Sequence, residues 1–317
     1  MLKKIEETYD RIKSTINQTP VMTSTILNNI TNADCFLKLE NFQKTGSFKF
    51  RGAFNAISCL SLKQKERGVT THSSGNHAQA LSLAAKIAGV KAIVVMPKNA
   101  PKTKIAATRS YGAEIVFCGT KPKDRENTTQ ELIDEFGYTL IHSSNDLNII
   151  YGQSTATYEL IKEVGKLDYV FAPCGGGGLL SGTAIATKAL CPDGNIIGVE
   201  PKNADDAYRS FRDGKIYPSI NPNTIADGLR TSLGANTFQI IRKNVDNIIT
   251  VSEEQIVDAM EFLWCRMKLV IEPSGAVSLA GVLSKQIDLK SKRIGIIISG
   301  GNVDLSSFFE EIRKNIK

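Results

Sequence analysis

The feature that most restricts what this chain can fold into is a regular alternation of short apolar strands with helical segments, beginning at Gly68. A helix opens near Gly75, strand Ala92 to Met96 follows, and a second helix runs through Ile105. After Gly112 come a strand through Ile115 to Cys118, a helix from Arg125 to Phe136 and a strand around Leu140. Each strand is separated from the next by a helix-length segment, and such connections place strands in parallel with helices covering the sheet. The alternation resumes after residue 146 with strand Tyr169 to Ala172, helix Leu180 to Leu190, strand Ile196 to Val199 and a late strand Ile294 to Ile298. The chain of 317 residues is long enough for two lobes of roughly 150 residues each. The segment before residue 67 carries Lys49 and its own helix, and is expected to pack with the second half. The expected organisation is α/β, with residues 1–67 and 146–317 as a large domain and residues 68–145 as a small α/β domain inserted in it.

At the N-terminus, Leu2, Ile5, Tyr9, Ile12 and Ile16 recur at helical spacing while Glu6, Glu7 and Asp10 interrupt the basic residues. This is the pattern of a docked amphipathic helix and not of a transit peptide. No apolar run approaches the roughly 18 residues that span a bilayer, so a soluble protein without a membrane partner is expected. The six cysteines lie far apart and form no CxxC pair, which argues against a zinc site or a disulfide framework and suits a reducing, cytoplasmic setting. The net charge of +7 comes from scattered lysines and arginines, with acids inside the local runs such as Lys121 to Glu126. Nucleic acid is therefore not the expected partner; an anionic small molecule and a phosphate-bearing cofactor account for the excess more simply.

Four segments carry chemistry. Gly175, Gly176, Gly177 and Gly178 follow an apolar strand and precede a helix, so that bare backbone N–H groups and a helix N-terminus can surround a phosphate dianion, with the backbone expected to be open on every side. A dinucleotide loop competes, because Glu200 ends the next strand at the distance where an acid would hold a ribose. The third glycine it needs, however, is replaced by Ser181. Lys49 lies in Phe48-Lys49-Phe50 with glycines at 46 and 52, a setting in which an amine can be partly desolvated and kept nucleophilic, although the same pattern also suits a surface lysine. His72-Ser73-Ser74-Gly75-Asn76-His77 opens a helix, where free N–H groups attract a carboxylate and a serine can simply be the cap. Ser299-Gly300-Gly301-Asn302 follows the last strand at its carboxyl end, the edge at which open α/β sheets hold ligands, or forms a plain turn.

Taken in this order, the lysine, Ser-Gly-Asn-His, tetraglycine and Ser-Gly-Gly-Asn segments resemble the fold-type II family of pyridoxal-phosphate enzymes, which includes serine and threonine dehydratases. The likeness runs from about Thr19-Pro20 to Asp304 and is strongest to the eukaryotic serine racemase branch. It is carried by Gln43 to Lys49, His72 to His77, Glu200-Pro201-Lys202-Asn203-Ala204-Asp205-Asp206, Ile225-Ala226-Asp227-Gly228, Glu272-Pro273 and Ser299 to Asp304. The resemblance implies two open, twisted, mainly parallel sheets flanked by helices. It makes Lys49 the lysine that binds pyridoxal 5′-phosphate, Gly175 to Gly178 the phosphate cradle, Asn76 the partner of the phenolic oxygen and Ser299 the partner of the pyridine nitrogen. A hydroxyl facing that nitrogen leaves it largely neutral, where an aspartate would keep it protonated.

The resemblance further implies that Ser73, Ser74, Asn76 and His77, with help from Arg125, hold the carboxylate of an amino-acid substrate. Lys49 is then the base on one face of the α-carbon and Ser74 the acid on the other, and serine racemisation accompanied by elimination to pyruvate and ammonia is the implied activity. A serine/threonine dehydratase with little racemisation is the alternative. Related dehydratases carry Ser-Ala-Gly-Asn-His at this place, so Ser74 favours the racemase, provided that a local network activates its hydroxyl. Glu200 and Asp206, with the carbonyl of Ala204, resemble the family's ligands for magnesium, calcium or manganese, although a solvated acidic loop has the same composition. Ser24, Thr25, Ile26, Lys44, Thr45, Lys268 and Asn302 resemble its ATP site at a homodimer interface, with Thr25 standing where the pattern has a serine.

Overall fold

The strand from Arg293 to Ile298 is apolar toward both faces, and Ile294, Ile296, Ile297 and Ile298 are fully buried. Such a strand is stable only inside a sheet covered on both sides. The computed structural model describes residues 1–100 and 102–306 together with Phe309 and Arg313. Within it the chain runs α1 (Leu2–Ile12), β1 (Val21–Met22), α2 (Thr25–Thr31), β2 (Asp34–Leu39), α3 (Lys49–Ser58), α4 (Leu62–Arg67), β3 (Val69–His72), α5 (Asn76–Ala88), β4 (Ala92–Pro97), α6 (Lys102–Ser110), β5 (Glu114–Cys118), α7 (Pro122–Phe136) and β6 (Thr139–Leu140). It continues through α8 (Leu147–Val164), β7 (Tyr169–Pro173), α9 (Gly178–Leu190), β8 (Asn195–Pro201), α10 (Asp206–Asp213), α11 (Ala235–Asn244), β9 (Asn247–Val251), α12 (Glu253–Glu261), α13 (Pro273–Leu283) and β10 (Arg293–Ile298).

Two sheets result. The larger has the order β1-β2-β10-β7-β8-β9 and is parallel except for the β1 edge; the smaller, β5-β4-β3-β6, is parallel throughout. The expected α/β class with two mainly parallel sheets is what the chain adopts. The first 67 residues serve both sheets: β2 pairs with β10, whereas Phe50, Ala53, Ala56 and Ile57 of α3 share a core with Ala78, Leu81 and Val94 beside the smaller sheet. α1 docks as its spacing predicts, burying Ile5 against Ile150 and Ile185.

α8 is the element for which the sequence offers no stripe. Its 18 residues bury Ile149, Gly152, Gln153, Thr155, Thr157, Glu159 and Leu160 on several faces at once, so polar and apolar positions do not separate. Part of that burial is ionic. Arg51 Nε lies 2.7 Å from Glu40, Arg51 Nη1 2.8 Å from Glu159 and Lys38 Nζ 2.8 Å from Glu159, a cluster of two cations and two anions that ties β2, α3 and α8 together. No described helix is long and apolar enough to cross a membrane.

Candidate active site

In the larger sheet the chain steps outward from β7 through β8 to β9 on one side, while β10 and β2 lie on the other. The crevice outside the carboxyl ends of such strands is where open parallel sheets hold ligands. β7 delivers Gly175–Gly178 there, β10 delivers Ser299, and β2 leads through Glu40–Gly46 to Lys49 at the start of α3. The smaller sheet repeats the device between β3, which feeds Ser73–Asn76, and β6, which feeds His142–Asp146. The two edges meet: Lys49 Nζ donates to Ser143 O at 2.8 Å, and Asn76 Nδ2 to Glu272 Oε1 at 2.8 Å.

Lys49 is held by backbone contacts on its N-terminal side. Ser47 bridges Gly300, Phe48 N donates to Ser299 O at 3.0 Å, and Gly301 N donates to Gly46 O at 2.9 Å. Gly46 has φ +71°, and a Cβ there would stand 2.3 Å from Asn302 Oδ1, so this turn requires glycine. The Lys49 amine lies 5.1 Å from the centre of the Phe48 ring. Burial lowers its pKa to about 8, with the Glu272 carboxylate opposing. An amine so placed is closer to its neutral, nucleophilic form than a surface lysine.

Gly177 caps α9 with φ +81°, and the free N–H groups of the first turn of this 13-residue helix point out of its N-terminus. The expectation of a backbone open on every side needs correction. A Cβ at Gly176 would meet Ser144 Oγ at 2.5 Å, one at Gly177 Leu233 Cδ2 at 2.7 Å, and one at Gly175 the Leu229 Cα at 2.9 Å. The glycines thus admit close neighbours on the side-chain side as well as baring N–H groups. Ser299 is buried, and its hydroxyl donates to Ser274 O at 3.4 Å. A lysine near neutrality, a backbone cradle at a helix N-terminus and a buried neutral hydroxyl form a donor set that fits the aldehyde, phosphate and ring nitrogen of pyridoxal phosphate.

In the loop after β3, Ser73 Oγ accepts from Gly75 N at 3.3 Å, a local turn contact; the N-cap of α5 is Gly75, which has no side-chain cap, so neither serine plays the capping role that the sequence also allows. Ser74 is half-buried, and among the described residues its hydroxyl has no hydrogen-bond partner. The activating network that the sequence reading requires is therefore not supplied by a side chain of the described residues. All three histidines of the chain gather here. His77 is 2% exposed, its Nε2 lies 3.0 Å from Ile141 O, and its Nδ1 has no partner. Burial, and next the Lys49 charge, push its pKa down to about 3, so it is a neutral neighbour of the lysine and no acid. His142 Nδ1 accepts from Ser144 N and Asn145 N at 3.1 and 2.9 Å, and burial followed by the nearby His72 lowers its pKa to about 4. Arg125, on α7, is within electrostatic reach of His72.

Glu272 and the Ser143 carbonyl are central to this geometry, and neither is marked as a site residue by the sequence, in which Glu272-Pro273 at a helix start is the one available signal. Glu200 is buried and accepts from Ala207 N and Tyr208 N, while both carboxylate oxygens of the buried Asp206 lack partners. Burial first, then the neighbouring Asp206, drives Glu200 far above the usual carboxylate range. Ala204 lies in the turn between them. No group of three or more His, Cys, Asp or Glu side chains able to hold a metal occurs among the described residues. The unpartnered oxygens of Asp206, the buried Glu200 carboxyl and the Ala204 carbonyl nevertheless make an all-oxygen set of the kind that a hard divalent cation with water ligands takes.

Of the residues expected at a nucleotide, Thr45 and Asn302 join the cleft: Asn302 Nδ2 donates to Thr45 O at 2.7 Å and to Asn76 Oδ1 at 2.9 Å. Lys44 adjoins them, while Ser24 caps α2 and Lys268 Nζ donates to Cys265 O, neither bonding to that group. Thr25 and Ile26 begin α2.

A family model described as "Pyridoxal-phosphate dependent enzyme" matches residues 12–300. The chain is 49% identical to an L-threo-3-hydroxyaspartate ammonia-lyase of Saccharomyces cerevisiae, over 94% of this chain and 92% of the other. It is 48% identical to a serine racemase of Dictyostelium discoideum, over 96% of each. The structure of maize serine racemase superposes with a TM-score of 0.97 at 43% identity, covering 99% of this chain and 97% of that one.

Proposed function

The chain belongs to the family of pyridoxal-phosphate dependent enzymes, and on that footing we propose that it interconverts L-serine and D-serine and also eliminates water from serine to give pyruvate and ammonia. The observation that supports this reading is that the segment carrying Lys49 and the loop after β3 carrying Ser73-Ser74 open on one cleft, where Lys49 Nζ donates to Ser143 O and Asn76 Nδ2 to Glu272 Oε1; on this proposal Ser74 serves the face of the substrate opposite Lys49. When bound, the cofactor supplies an electrophile for the substrate amine and a sink for the electrons left at the α-carbon. Lys49 and Gly175 to Gly178 would hold it, and Ser299 would offer its ring nitrogen a neutral hydroxyl in place of an acid. The first turn of α5 and the Ser73 hydroxyl orient the substrate carboxylate, with Asn76, His77 and Arg125 beside them. Lys49 Nζ removes the α-proton of L-serine, and Ser74 Oγ returns a proton to the opposite face. The same deprotonated substrate can instead lose its β-hydroxyl, which leaves with a proton as water; the released enamine tautomerises to an imine that water hydrolyses to pyruvate and ammonia. Because Ser74 has no protein hydrogen-bond partner among the described residues, its proton is replenished by water.

Glu200, Asp206 and the Ala204 carbonyl hold a divalent cation, magnesium, calcium or manganese, a reading supported by the two unpartnered oxygens of Asp206. ATP is the proposed effector, bound near Lys44, Thr45 and Asn302 with Ser24, Thr25, Ile26 and Lys268. A homodimer is supported by Ile26 and Ile30, which are 49% and 45% exposed one turn apart on α2. A reducing, cytoplasmic setting is supported by six free cysteines. The test of the two-faced reading is Ser74→Ala. D-serine formation from L-serine should fall at least about a hundredfold, the range of one acid or base, while pyruvate formation from L-serine persists. Equal loss of both would remove Ser74 from its role.

A further inference from the structure

We propose that Glu272 is a positioning residue that fixes the amide of Asn76, and thereby aims the one N–H that Asn76 has left for the cofactor; the inference rests on reading the cleft as a pyridoxal-phosphate site. Asn76 Nδ2 donates to Glu272 Oε1 at 2.8 Å, and Asn76 Oδ1 accepts from Asn302 Nδ2 at 2.9 Å. A carboxylate can only accept, and Asn302 Nδ2 can only donate. Reversing the Asn76 amide would set oxygen against carboxylate on one side and N–H against N–H on the other. Both Asn302 hydrogens are engaged, the second by Thr45 O at 2.7 Å. The second Asn76 N–H is therefore the amide donor that remains for a ligand.

Glu272 is itself held rigidly. It is 5% exposed, its backbone N donates to Gly300 O at 3.2 Å, and its own carbonyl accepts from Gly275 N at 2.9 Å in the first turn of α13. A Cβ on Gly300 would stand 2.5 Å from Oε1, so the carboxyl lies against the loop that follows β10. The charged groups facing it are Lys49 from α3, Asp227 from the turn after Ala226, and Lys104 from α6, which pairs with Asp227 at 2.5 Å. Burial, then Asp227, raises the carboxyl to about 7, while the Asn76 hydrogen bond and the two lysines oppose the shift. In its charged form Glu272 both demands the Asn76 N–H and favours positive charge on the Lys49 side.

The test uses the cofactor-loaded protein with L-serine, comparing wild type, Glu272→Gln, Glu272→Ala, Asn76→Ala and the double Ala variant. The Gln variant keeps an oxygen where Asn76 donates, so its kcat should exceed that of Glu272→Ala by about tenfold, the value of one hydrogen bond to a buried group. Glu272→Ala should add less than about threefold to the loss in Asn76→Ala, because the two act as one unit. The visible band of the lysine-bound cofactor should titrate roughly one pH unit lower in both Glu272 variants, a change that a purely structural role would not produce. Equal kcat in the Gln and Ala variants, or losses that multiply in full, or an unmoved titration would each overturn the proposal. A wild-type protein without a visible band that depends on Lys49 would overturn the cofactor reading as well. If Glu272→Ala does not fold, the titration of Glu272→Gln decides.

Discussion

Replacing Gly177 by alanine should be among the most damaging single-methyl additions in the chain. Two costs add. The residue has φ +81°, and an L side chain in that region costs roughly 1–2 kcal/mol. The new Cβ would lie 2.7 Å from Leu233 Cδ2, 2.9 Å from Thr237 Cβ and 3.0 Å from Ile241 Cδ1. All three neighbours are buried, with Leu233 and Ile241 in one core cluster with α9, so none can swing into solvent. Overpacking of this kind costs roughly 1–3 kcal/mol, for a total of about 2–5 kcal/mol. Gly89 supplies the control, since it is also left-handed at φ +67° and ψ 30° and has nothing within 4 Å of its Cβ. Gly89→Ala should show the backbone cost alone. Urea unfolding of both cofactor-free variants should place Gly177→Ala about 1–3 kcal/mol below Gly89→Ala with the same m-value, and the cofactor should dissociate faster from the Gly177 variant. Equal destabilisation of the two variants would refute the packing argument.

Other outcomes follow from the same structure. Attachment of pyridoxal phosphate to the cofactor-free protein should accelerate as pH rises through about 8, because burial lowers Lys49 to that value and only its neutral amine attacks; stopped-flow absorbance measures this, and a rate flat across that pH would contradict it. Arg51→Met should cost roughly 3–5 kcal/mol in thermal or urea unfolding, since it strands the buried Glu40 and Glu159 with Lys38 as the remaining cation of the cluster. Arg51, opposing burial, also holds Glu40 below the usual carboxylate range. The stability from that pairing is present above the unfolded carboxylate pKa and is lost as pH falls through the folded value, so wild type should weaken toward acid more steeply than Arg51→Met. Magnesium should raise the melting temperature of wild type and a chelator should lower it, whereas Asp206→Asn should be indifferent to both.

The alternating strands and the docked α1 are legible because one-sided burial imprints a period on the sequence. α8 is not, because a helix buried on several faces and lined by Gln153, Thr155 and Glu159 has no stripe. Its polar residues are paid for by partners far along the chain, such as Arg51 for Glu159. The site divides in the same way. Gly175–Gly178 and Ser299 announce themselves by position at strand ends, whereas Glu272 acquires meaning only when α13 carries it to Asn76, 196 residues away. The Ser143 carbonyl is a backbone atom, and no residue type could have marked it. The openness expected of the glycine loop fails for a related reason: the neighbours that close it, Ser144 and Leu233, come from distant segments.

The most direct test of the account is to incubate the purified, cofactor-loaded protein with L-serine and score D-serine by chiral chromatography alongside pyruvate, with L-threo-3-hydroxyaspartate as a second substrate. Both D-serine and pyruvate should accumulate from L-serine, and both should vanish in Lys49→Ala. Pyruvate without any D-serine would contradict the two-faced proton transfer and leave an ammonia-lyase in its place.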